Sequence, residues 1–265
     1  MKKFMVVCLA IGLVLAFGAL AMASTVPGGG INGTSHDLST LGAAAAFGDA
    51  GDHAGLNRIC VYCHAPHNTI KPDVVGGTWT YMPLWNHGKT TNVGAFTMYS
   101  NGSDLPGSVS HQSQAMILAN QPGSVSLLCL SCHDGSVAVN MYGSGSSIGG
   151  NTTNIQNGTG RAVIGLNGDL SNHHPIGFDY LQVQTPVDDE IRVSTDAGFL
   201  TDGVDGTKAG GPKTIAELLW GNNVECVSCH DVHNTKNGGT RLTWVNDNQS
   251  KLCLTCHNKD QVARP

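Results

Sequence analysis

The chain has 265 residues, a formal net charge of −5 and only 12% charged residues, against 35 glycines. The acidic balance excludes the basic footprint of a nucleic-acid-binding protein. The shortage of charge excludes long solvent-facing amphipathic helices and points to a loop-rich chain with a thin core for its length.

At the N-terminus, Met1-Lys2-Lys3 is a short basic start, residues 4–20 form an almost unbroken apolar run, and Ala21-Met22-Ala23 is a small-x-small site. That layout predicts a secretory signal peptide over 1–23, cleaved after Ala23. The run is short for a membrane span, and an anchor would leave the cleavage site unexplained. Cys8 follows Val7 in mid-run, where a lipoprotein would carry a small residue. No second long apolar run follows, so the expected mature chain, 24–265, carries no transmembrane segment. It would have 242 residues, and losing Lys2 and Lys3 from the 14 basic residues leaves 12 against 19 acidic, a formal charge of −7.

Setting Cys8 aside, the other eight of the nine cysteines form four C-x-x-C pairs: Cys60/Cys63, Cys129/Cys132, Cys226/Cys229 and Cys253/Cys256. Each is followed at once by a histidine, namely His64, His133, His230 and His257. C-x-x-C-H is the signature of covalent haem attachment. Two thiols at that spacing add to the two vinyl groups of one porphyrin, and the next residue offers an imidazole to the iron. Disulfides, a zinc ribbon or a thioredoxin-type redox motif would not require histidine after every second cysteine. Histidine is 12 of the 265 residues, so four such placements by chance have a frequency on the order of a few in a million. Four c-type haems are therefore expected, with no cysteine left for a disulfide.

The motifs are unevenly spaced: 66 positions from Cys63 to Cys129, 94 from Cys132 to Cys226, and 24 from Cys229 to Cys253. Haems three and four should lie close together. With about 60 residues per haem, none can have a private globular pocket. The expected fold is mostly irregular, with short helices at the attachment sites, wrapped as one domain around a closely packed haem chain. Between the motifs, 78–85 (TWTYMPLW) predicts an extended segment whose aromatics pack on porphyrin. Short helices are predicted over 110–120 and 214–220, and the Gly/Ser/Asn/Thr-rich stretch 143–168 predicts a surface excursion.

The second axial ligand of each iron sets its chemistry, and eight histidines remain: His36, His53, His67, His87, His111, His173, His174 and His233. Four would complete bis-histidine ligation. Met82, Met98, Met116 and Met141 could ligate instead, but packing is the simpler role for a methionine. His67 and His233 each lie three residues after an attachment histidine, in CHAPH and CHDVH. Residues so close project to one side of a turn and cannot grip opposite faces of one iron. Each is expected to ligate a neighbouring haem and staple two haems together. His174 precedes Pro175, which holds it extended and directs its ring; His173 beside it should face the other way. His36 is followed by Asp37, which could cap a turn or orient the imidazole. The expected set is thus His36, His67, His174 and His233, with His87 in reserve and structural roles for His53 and His111.

The strings HDL, CVYCHAPHN, PLWN, CLSCHDG, HHPIGFDY, CVSCHDVHN and CLTCHN resemble the multihaem cytochromes of dissimilatory metal-reducing bacteria. The four-haem count and export signal are similar to those of the tetrahaem outer-surface, filament-forming members from Geobacter-type organisms. The resemblance covers nearly all of the expected mature chain apart from the Gly-rich excursion. It implies stacked bis-histidine haems and assembly into an extracellular homopolymer in which one subunit supplies a histidine to the next, with His36 as candidate. It also implies exchange with other redox cytochromes and extracellular electron acceptors. A monomeric periplasmic shuttle would use the same chemistry. An enzyme such as a multihaem reductase would need an open iron position with acid–base groups beside it, and nothing in the four standard motifs suggests one.

Overall fold

The computed structural model describes residues 30–32, 34–38, 59–72, 78–99, 121–139, 141–143, 162–184, 189–200, 211–234 and 241–259. The expected signal peptide, the helix at 110–120, His53, His111, Met116 and residues 144–161 lie outside them.

Among the described residues regular structure is sparse and concentrated at the motifs, as the composition predicts. There are three α-helices, α1 (Ser124–His133), α2 (Cys226–Cys229) and α3 (Lys251–Cys256). The first motif forms a 3-10 turn, Cys60–Tyr62. Two short strands, β1 (Phe178–Asp179) and β2 (Asn223–Val224), pair antiparallel with Phe178 opposite Val224. None of the described helices is long and apolar enough to cross a membrane.

The α1 sequence SVSLLCLSCH is apolar on all sides, and Val125, Leu127, Leu128 and Leu130 are all buried, the pattern of a helix that packs in an interior. Inside it, the Ser131 hydroxyl donates to the Leu127 carbonyl at 2.8 Å. It ends where Gly135 adopts φ +72°, a conformation that closes helices because glycine carries no Cβ. Helix α2 is one turn long and starts from a capping box between Glu225 and Ser228. It packs against α1.

Among the described residues, three small apolar clusters stand in place of a single large core. The first sets Trp79, Met82, Trp85 and Phe96 against Leu127, Leu128 and Leu130 of α1, and Cys63 packs on its edge. The second gathers Phe178, Tyr180, Val183, Ile215 and Val224, with Cys256 against it. The third holds Phe199, Leu200, Leu218 and Val245, flanked by Leu252 and Leu254 of α3. Each cluster therefore backs an attachment element rather than standing apart from it.

Residues 78–85 lie in no strand, and the extended segment expected there is broken by a bend at Pro83 and Leu84, the latter at φ +52°. Trp79 and Trp85 pack on the leucines of α1, and Tyr81 stacks on Trp220 at 4.5 Å between ring centres. Only Trp85 also edges an attachment histidine, His64. The helix expected over 214–220 is a 3-10 turn, Ile215–Leu218. Its two buried residues lie three apart and serve the second and third clusters. A 3-10 turn aligns positions i and i+3, and so short a segment gains little from an α-helix whose nucleation is costly. At the close of the Gly-rich stretch, residues 162–168 return to α1: the Ile164 N–H donates to the His133 carbonyl at 2.9 Å.

The fourth site is held from outside α3. Arg192 is buried, donates from Nε to the Leu254 carbonyl at 3.0 Å and from its backbone N–H to the Cys256 carbonyl at 2.9 Å. Gly198, at φ +51°, lies so close that an added Cβ would meet the Thr255 carbonyl oxygen at 2.5 Å. Gly198→Ala is expected to cost about 2 kcal/mol through strain and overpacking. Thermal unfolding of the purified protein checks this, and an unchanged midpoint would contradict the contact.

Candidate haem-attachment site

Each attachment histidine follows directly on a turn whose two cysteines it must accompany. Three of them are then fixed by backbone bridges: His64 with Trp85, His230 with Thr243 and His257 with Ile191. Ring orientation is set by carbonyl groups. His64 Nδ1 donates to the Pro83 carbonyl at 2.6 Å, His133 Nδ1 to Ala162 at 2.6 Å, and His230 Nδ1 to Arg241 at 3.1 Å. A carbonyl oxygen only accepts, so the proton sits on Nδ1 and the Nε2 lone pair is left for a metal. A ligating histidine characteristically has its second ring nitrogen held in this way.

The cysteine thiols of successive motifs are neighbours. Desolvation pushes the Cys63 thiol up to about 12, with Cys132 contributing. Cys226, followed by burial, pushes the Cys129 thiol up. Burial pushes Cys229 up to about 12, with Cys256 contributing. All eight described thiols are free.

Three of the proposed second imidazoles lie opposite attachment imidazoles. Ring centres are 6.0 Å apart for His36 and His133, 6.1 Å for His64 and His233, and 6.3 Å for His174 and His257. With a metal–nitrogen bond of about 2.0 Å on either side and about 1.1 Å from ring nitrogen to ring centre, two imidazoles sharing one metal in trans have centres about 6 Å apart. The residues present therefore fit bis-histidine haem iron at three sites. Burial, followed by repulsion from His133, lowers His36 to about 4, and burial also lowers His133. Both stay neutral at physiological pH, the form that binds metal. His36 reaches its partner within its own chain: Gly30 donates to the Asn234 carbonyl at 3.1 Å and Asn234 Nδ2 returns a bond to Gly30 at 2.9 Å.

The remaining histidines divide differently. His67 and His230 are exposed, and His230 lies near enough to His36 and His133 to help lower both. His173 Nε2 accepts from the Gly165 N–H at 3.4 Å and faces away from the His257 pairing of its neighbour, as alternation on an extended segment requires. The reserve candidate His87 is 1% exposed, with Nδ1 2.9 Å from the Gly88 carbonyl and Nε2 3.0 Å from the Ala138 carbonyl. A neutral ring carries one N–H, so it donates to one of these carbonyls only, and Nε2 also lies 3.3 Å from the Cys132 Sγ of the second motif. Sequence reasoning missed the buried carboxylate Glu225, 1% exposed between the second and third sites.

Residues 221–262 match the family model for the doubled CXXCH motif. A search of curated proteins finds no match to the chain. The matched segment contains the third and fourth attachment motifs, and the doubled C-x-x-C-H motif is the pattern of covalent c-type haem attachment, which serves electron transfer. Replacing both cysteines of one motif, as in C226A/C229A, is expected to remove one haem per chain. Pyridine haemochromogen assay and intact mass check this, and an unchanged haem count would exclude that motif as an attachment site.

Proposed function

We propose that the protein carries electrons through four bis-histidine c-type haems as the subunit of an extracellular filament, a conduit for anaerobic respiration. The observation that carries the electron-transfer part is the set of three imidazole pairs spaced 6.0, 6.1 and 6.3 Å between ring centres. When bound, each haem supplies a one-electron iron couple. The chain's part is to occupy both axial positions, fix the ring tautomers through backbone carbonyls and keep successive sites adjacent. An iron so enclosed has no open position for a substrate, which argues against enzymatic turnover.

For the third site we assign His67. His233 lies three residues after His230 and pairs with His64 of the first site, so the first and third motifs are neighbours. His67 lies three residues after His64 in the same local pattern. The reciprocal pairing of His67 with His230 would complete two staples between the same two haems.

The filament part rests on resemblance to filament-forming tetrahaem cytochromes of the outer-membrane cytochrome E type, together with the predicted export signal. A head-to-tail contact that does not close generates a fibre. The low charge of the chain removes one obstacle to close packing of subunits. One observation favours the second reading, a monomeric periplasmic shuttle: His36, the candidate to cross between subunits, pairs with His133 of its own chain.

Electron microscopy of native holoprotein decides between the two readings. Uniform filaments are expected, and discrete small particles at all concentrations would overturn the polymer. Independently, His233→Ala should open the first iron and let the reduced protein bind carbon monoxide, while the unsubstituted protein binds none. Carbon monoxide binding by the unsubstituted protein would revive the enzyme reading.

A further inference from the structure

Glu225 is 1% exposed and accepts hydrogen bonds from elements that are far apart in sequence. The Gly123 N–H, at the start of α1, lies 3.1 Å from Oε1 and 3.3 Å from Oε2. The Ser126 hydroxyl donates to Oε2. The same hydroxyl oxygen accepts from the Cys226 N–H at 3.0 Å. At its own helix Glu225 closes the capping box with Ser228, whose hydroxyl accepts from the Glu225 N–H at 3.0 Å. Gly123 leaves room for this contact, because any Cβ there would collide with Oε1. One carboxylate thus joins the first turn of α1, which carries Cys129 and Cys132, to the first turn of α2, which carries Cys226 and Cys229.

A local cap would need none of the α1 partners. An N-terminal cap is satisfied within its own turn, whereas Glu225 reaches across 102 positions to Gly123. A fully buried carboxylate is costly unless several donors meet it, and here donors from both helices do. We infer that Glu225 is a positioning residue that braces the second attachment helix against the third and so sets how their two haems sit relative to one another. The inference rests on the electron-transfer reading above, in which the mutual placement of the haems is what the fold must provide.

The test is Soret-region circular dichroism of the holoprotein, in which a bisignate couplet reports the mutual orientation of neighbouring haems, with haem content measured in parallel. Glu225→Asp still caps α2 but is one methylene too short to hold Gly123 and Ser126. It should retain its haems and lose most of the couplet assigned to sites two and three. Glu225→Gln keeps the length, offers a carbonyl to Gly123 and an amide to Ser126, and should retain the couplet. Gly123→Ala displaces the carboxylate while leaving it in the chain and should reproduce the loss, which decides the matter if E225D is not recovered as holoprotein. Undiminished couplets in E225D and G123A at full haem content overturn the brace. An unsubstituted protein that lacks any couplet and shows no electron exchange between haems would instead sink the electron-transfer reading.

Discussion

Two imidazoles held on one metal would have their ring centres about 6 Å apart, and three pairs of histidines in this fold stand at that spacing. The attachment histidine comes with its two cysteines, so its position is settled within a single turn. In the proposed ligation the second imidazole would come from elsewhere: His36 from the N-terminal segment, His233 from the turn after the third motif, His174 from the stretch before β1. Long-range backbone bonds deliver them, such as the pair between Gly30 and Asn234 that docks the segment bearing His36. The three apolar clusters are small because each has only to back an attachment element. Covalent cross-links to a shared cofactor can stabilise short loops where a larger core is missing.

Carbonyl groups do much of the orienting. Pro83, Ala162 and Arg241 hold the Nδ1 atoms of His64, His133 and His230 through backbone oxygens, so no side-chain signature marks them. This explains which features were legible in the sequence. The attachment residues were, because C-x-x-C-H is a local chemical unit. The loop-rich architecture followed from composition, and short helices appeared at the motifs. His174 was distinguished from His173 by the proline after it, and the two fall on opposite sides as alternation requires.

What escaped the sequence depends on partners distant along the chain. His87 is buried beside Cys132 of the second motif, 45 positions along the chain. Glu225 reads as an ordinary glutamate before a motif, since its partners Gly123 and Ser126 lie about a hundred positions earlier. The tryptophans of residues 78–85 pack on leucines of α1 more than 40 positions on, a pairing that no local pattern announces. The turn at Ile215–Leu218 is 3-10 rather than α because two different clusters each take one of its apolar residues.

The central claim is that every iron in this protein is enclosed by two imidazoles. Near-infrared magnetic circular dichroism of the oxidised holoprotein tests it most directly, because low-spin bis-histidine, histidine–methionine and high-spin haems give separate signals. The account predicts bis-histidine signals alone, with intensity matching the whole haem content. A histidine–methionine band, or a high-spin fraction equal to one haem or more, would contradict it.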